Sequence, residues 1–141
     1  MDESSRFELP ESTDHQEIVA AARTGLGDQL RSVIGFTPGS FAVLYTRADL
    51  YEPGVDVPEV KRPLVELERV GFAEAPVRTA LSADAPGTHI GPYDFTVRFH
   101  EDGFVARVIE GDRGVLLTTD SMDVRAFREA ATAIRTLLRG D

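Results

Sequence analysis

Apolar residues recur every three or four positions in three parts of the chain and every second position in two others. Ile18, Ala22, Leu26 and Leu30 repeat every four residues and predict a first helix with one apolar face. Thr13 is placed to cap it, with Gln16 at the capping-box position, and Gly25 and Gly27 weaken its last turns. RSVIGF and FAVLYTR read as two strands around Thr37-Pro38-Gly39-Ser40, where a central Pro-Gly predicts a type II turn with φ > 0 at Gly39. The rival reading of residues 37–47 is a short helix capped by Thr37 with Pro38 at its first position. Alternation of Phe41, Val43 and Tyr45 favours the hairpin.

Residues 51–60 read as a loop. Residues 59–70 then look helical, with Leu64, Leu67 and Val70 on one face and Gly71 as the stop. Pro63 either starts this helix at its first turn or kinks it. Residues 72–92, with Pro76, Pro86 and Pro92, predict a long irregular stretch. Three strands follow, near 92–100, 103–110 and 114–119.

In the first of these three, Tyr93, Phe95, Val97 and Phe99 point one way, and Asp94, Thr96, Arg98 and His100 the other. A two-residue loop at Asp102-Gly103 would set Arg98 opposite Arg107, a like-charge pair that costs stability. A loop from His100 to Gly103 pairs Arg98 with Val105 and Thr96 with Arg107 instead, and is preferred. The charges at 98, 100 and 107 are then expected at the wet rim of the sheet. A last helix is predicted from Asp120–Asp123 to Leu138, burying Val124, Phe127, Ala131, Ile134 and Leu138. Residues 1–12 read as a flexible acidic tail and 13–141 as a single α+β domain.

Composition narrows the chemistry. The 141 residues carry a net charge of −9 and no cysteine, which removes disulfides and thiolate chemistry. An acidic surface repels nucleic acid and anionic lipid. Lys61 is the single lysine beside fourteen arginines. That balance resembles the cytoplasmic proteins of haloarchaea, because molar salt shortens the Debye length to about 3 Å and lets carboxylates crowd. A GC-rich genome without extreme salt is the alternative source of the same bias. The first residues have no apolar signal region and no long apolar run occurs, so a cytoplasmic location is expected and no membrane span.

The order helix, two strands, helix, three strands, helix resembles the roadblock/LC7 fold of the profilin-like and longin-like group. The segments DQLRSVIGFT (28–37), LYTRADL (44–50), ERVGF (68–72) and YDFTVRFHEDGFVARVIEGDRGVLLTTD (93–120) are similar to an uncharacterised haloarchaeal protein family associated with that fold. The resemblance implies a five-stranded antiparallel sheet with helices on its faces. It implies a non-enzymatic protein-binding and regulatory module that forms a homodimer by sheet extension and packing of the second helix. It further implies a regulatory partner such as a small Ras-like GTPase. Pro63 and the prolines after residue 75 depart from a clean second helix and put its part in a dimer in question. A profilin-like sensor with a small-ligand pocket near Tyr93, Phe95, Phe99 and Phe104 is the second functional reading.

No catalytic, cofactor or metal residues are assigned. GLGD (25–28) lacks the third glycine and preceding strand of a phosphate loop. His15, His89 and His100 do not share a metal-ligand spacing. Glu66 and Glu68, like Glu101 and Asp102, read as solvated charge. The surface feature that stands out is a ridge on the last helix. Arg125, Arg128, Arg135 and Arg139 fall within about 80° of one another at 100° per residue. The ridge is the candidate partner-binding site. The plainer alternative is that it pairs with the protein's own acids and with the helix C-terminal dipole.

Overall fold

The computed structural model describes residue 7, residues 13–83 and residues 90–140. Apart from Phe7, the expected acidic tail at 1–12 lies outside the described residues. Helix α1 spans His15–Leu26 and is capped by Asp14 rather than Thr13. Asp14 Oδ1 accepts from the Glu17 amide at 2.9 Å, and Glu17 Oε2 accepts from the Asp14 amide at 2.9 Å. The carboxylate one residue later satisfies an orphan N–H and also sits at the positive end of the helix dipole. Thr13 instead donates its hydroxyl to the Leu137 carbonyl at 3.1 Å. The chain leaves α1 at Gly27, whose φ is 57°. Leu30 therefore begins strand β1 (Leu30–Phe36) instead of ending the helix.

The predicted hairpin joins β1 to β2 (Phe41–Thr46), with Phe36 opposite Phe41. The turn is not type II, since Gly39 does not take a positive φ. Thr37 supplies the closure instead: its Oγ1 accepts from the amides of Gly39 at 3.3 Å and Ser40 at 3.0 Å. A side-chain-closed turn has no need of a left-handed residue.

Two helices follow where one was expected. Helix α2 spans Val57–Glu68 with Asp56 as its cap and Pro58 in its first turn. Pro63 lies inside it, six residues after its start, so it does not start the helix. Gly71 does not stop it, but begins helix α3 (Gly71–Ala83), which also contains a proline, Pro76. Residues 72–83 of the expected irregular stretch are therefore helical, and residues 84–89 lie outside the described residues. The proline content of the stretch hid a helix whose other residues, mostly Ala, Glu, Arg and Leu, have good helix propensity. The buried positions of α2 are Lys61, Val65 and Glu68, while Leu67 and Val70 of the predicted face are exposed.

Strands β3 (Thr96–His100), β4 (Gly103–Glu110) and β5 (Arg113–Thr119) complete one sheet in the order β2-β1-β5-β4-β3, antiparallel throughout. The preferred register of β3 on β4 is present, with Arg98 opposite Val105 and Thr96 opposite Arg107. Helix α4 (Val124–Arg139) is capped by Asp123 and ended by Gly140 in the left-handed conformation. It buries Phe127, Ala130, Ala131, Ile134 and Leu138, but Val124 in the first turn is exposed.

The connection from β2 to β3 runs from one edge of the sheet to the other, and it lays α2 and α3 across one face. Helices α1 and α4 cover the opposite face, where Ile18, Ala22, Phe127 and Ile134 pack on Val33, Ala106, Val115 and Leu117. Gly25 lets the two helices approach: a Cβ there would lie 3.2 Å from the Cβ of Ala130. Phe7 is buried in the same core. Val65, Phe72 and Ala75 pack on Ile34, Phe36, Ile109 and Leu116 on the α2–α3 side. Among the described residues no helix is long and apolar enough to cross a membrane.

Candidate functional site

Strand parity puts Val105, Arg107 and Ile109 of β4 on the face beneath α2 and α3. Arg107 is 1% exposed, so it is not at a wet rim as its charge suggested. Its Nη1 donates to Glu68 Oε1 at 2.9 Å, and its Nη2 donates to Glu74 and, at 3.1 Å, to Thr96 Oγ1. Arg98 donates its Nε to the second oxygen of Glu68 at 2.5 Å. Glu68 is itself 2% exposed, which corrects its reading as solvated charge. Two arginines and two glutamates thus close a network between the sheet and the α2–α3 layer. Arg78 and then Arg107 hold the Glu74 carboxyl below its ordinary value. Burial works against the charge of Arg107, but hydrogen bonds to Tyr93 and Glu74 outweigh it and keep the guanidinium protonated. Gly71 is required for this packing, because a Cβ there would lie 2.6 Å from Arg107 Nε.

The network fixes the inner side of α2 and α3 and leaves an apolar outer side. Val60 and Leu67 are seven residues apart on α2 and are 49% and 73% exposed. Val77 and Leu81, one turn apart on α3, are 58% and 64% exposed. Beside this layer, β3 pairs with β4 alone among the described residues, which leave its other edge unpaired. Phe99 on that edge strand is exposed and packs edge-on against Phe104 at 4.9 Å between ring centroids. Exposed apolar groups next to an open strand edge are the features of an association surface.

The arginine ridge is real as geometry but divided in its contacts. Arg135 Nη1 lies 2.7 Å from Asp94 Oδ1 and donates to the Asp94 carbonyl at 2.8 Å. Arg128 Nε lies 3.3 Å from the other Asp94 oxygen, and Arg139 Nη1 donates to Glu110 at 3.1 Å. Arg125 stands out from the fold and, among the described residues, reaches its helix neighbour Glu129 alone, at 3.5 Å. Arg128, Arg135 and Arg139 are therefore each tied to one of the protein's own acids, and the ridge is open toward Arg125 and Arg128, whose side chains are 91% and 66% exposed.

The aromatic quartet of the sensor reading does not line one pocket. Tyr93 lies before β3 begins, so strand parity does not govern it, and it packs on the α2–α3 side. Phe95 packs on the opposite core, stacked on Phe127. His15 opens α1, with its ring against Phe7. His100 ends β3, and His89 lies outside the described residues. No group of three or more His, Cys, Asp or Glu among the described residues could hold a metal ion.

A signal for the buried network did exist in the sequence. Arg107 alternates with Val105 and Ile109, and a strand apolar at both flanking same-face positions is poorly suited to open water. The partner glutamates left no such mark, since Glu68 and Glu74 lie on helices whose limits Gly71 and Pro76 obscured.

A family model described as Domain of unknown function (DUF7522) matches residues 16–139. No curated protein matches the chain. Among solved structures, the gliding protein MglB from Thermus thermophilus superposes with a TM-score of 0.52 at 13% identity, covering 95% of this chain and 96% of that one. MglB in a tetrameric arrangement superposes with a TM-score of 0.52 at 14% identity, covering 94% of each chain. The shared architecture is the roadblock/LC7-like fold.

Proposed function

The chain belongs to the DUF7522 family, and on that footing we propose that it is a non-enzymatic regulatory module that self-associates and binds a partner protein. The observation that carries this reading is the apolar outer side of α2 and α3 beside the unpaired edge of β3. Two copies meeting there extend the sheet across β3 and cover Leu67, Val77 and Leu81. The MglB structure with a tetrameric arrangement has the same fold and lends support to self-association. The roadblock resemblance points to a small Ras-like GTPase as the partner class. The open end of the arginine ridge, Arg125 and Arg128, would meet acidic groups on that partner, with Arg135 and Arg139 as its anchored base. The −9 charge with a single lysine supports work in the salt-rich cytoplasm of a haloarchaeon.

Light scattering in molar KCl tests the self-association. The wild-type chain is expected to give the mass of a dimer at tens of micromolar. Leu67→Glu combined with Leu81→Glu is expected to give a monomer that melts close to wild type, because both side chains are exposed in the single chain. A wild-type monomer under these conditions overturns the reading.

A further inference from the structure

Lys61 is the single lysine of the chain and is only 9% exposed, on the inner side of α2. Fourteen other basic residues are arginine, and those at the α2–α3 layer are hydrogen-bonded to carboxylates or carbonyls. Lys61 differs. Its Nζ lies 5.6 Å from the centroid of the Tyr51 ring, and no carboxylate reaches it among the described residues. A cation–π contact offsets only part of the cost of drawing an ammonium away from water. Yet the nitrogen is not sealed from solvent.

Lys61 lines a groove of about 480 Å³ between α2 and the sheet, at the β3–β4 turn. Leu64 and Val105 give the groove apolar walls, and Thr118 supplies a hydroxyl already engaged with Ser32 at 2.5 Å. Arg31 also lines it, but its guanidinium is committed to Asp120 at 2.8 Å. His100, Glu101 and Asp102 line the groove too. These two acids oppose the entry of a multiply charged anion. One ammonium without a counter-charge, apolar walls and two lining acids together favour a ligand with one negative charge over one with several, and with an apolar body.

We propose that this groove binds a small organic monocarboxylate, with the carboxylate on Lys61 Nζ and the apolar body against Leu64 and Val105. None of Leu67, Val77 and Leu81, which the dimer would cover, lines the groove, and the proposal does not rest on self-association.

The single lysine makes the test specific. Protein grown with ¹³C-labelled lysine gives one Cε signal, that of Lys61, which can be followed while benzoate is added at constant ionic strength. A saturable shift at millimolar benzoate is expected, with inorganic phosphate and the neutral analogue benzamide giving none. In Lys61→Met, followed by amide signals of Leu64 and Val105, binding should weaken at least about tenfold, the loss of one charge-assisted contact. No saturable Lys61 shift with benzoate overturns the proposal. So does an equal response to phosphate or benzamide. If Lys61→Met does not fold, the wild-type comparison of the three probes still decides.

Discussion

The two faces of the sheet are held by different physics. Beneath α1 and α4 the contact is a continuous apolar core, with Ile18, Ala22, Phe127 and Ile134 each almost wholly buried. Beneath α2 and α3 a smaller apolar cluster adjoins the Arg107–Glu68–Glu74–Arg98 network. The first face is non-directional, and its stability follows the apolar area removed from water. The second is directional. A buried ion network adds little net stability over apolar packing, but breaking one partner leaves a buried charge uncompensated. It therefore sets where α2 and α3 sit more than how strongly the whole fold holds. The outward apolar residues of that layer are displayed from a fixed platform.

The sharpest way to break this contrast is Phe127→Ala. Phe127 is 1% exposed in the α1–α4 core, and its truncation is expected to cost about 3–5 kcal/mol. Calorimetry should show the entire transition moved down, with no part of the fold spared. If the variant melts with wild type, the α4 register is wrong.

Glu68→Gln keeps the volume and removes the charge shared by Arg98 and Arg107. The expected cost is about 3 kcal/mol, at the low end for breaking a buried pair because Glu74 still faces Arg107. Hydrogen exchange should quicken in residues 57–83 while α1 and α4 keep their protection. Equal loss of protection on both faces would show that the network supports the whole fold.

The smallest effect on stability is expected at the open end of the ridge. Arg125→Gln with Arg128→Gln leaves the buried side of α4 untouched and should melt with wild type, since exposed ion pairs contribute little and salt screens them further. The same variant should lose affinity for the bound partner protein in pull-down. Unchanged partner yield would reduce the ridge to a solvated face.

The face that the sequence described well is the non-directional one. Period-four spacing picked out Ile18, Ala22, Leu26, Phe127, Ile134 and Leu138, because burial of a helix stripe repeats along the chain and leaves a local pattern. Val124 failed because it is the first residue of α4 and stays 58% exposed there. The directional face left less behind. Its partners lie 39 and 33 positions apart in the chain, at Glu68–Arg107 and Glu74–Arg107, and a charge carries no mark of whether it will be paired or hydrated. The β3–β4 register was legible because like-charge repulsion between Arg98 and Arg107 could be weighed directly. The outer surface of α2 and α3 was not, because a surface residue is chosen by what will meet it.

The central pairing of β1 with β5 has a consequence for how the chain comes to be folded. Ser32 and Thr118, bonded across that seam, are separated by 86 positions. The seam closes only after β2, α2, α3, β3 and β4 have all been made, so during synthesis the β1–β2 hairpin waits with its inner edge open. Long closures of this kind slow folding more than they weaken the finished structure. The same edge that ends in the middle of the mature sheet is, until β5 has been made, an open strand edge that other chains can pair with.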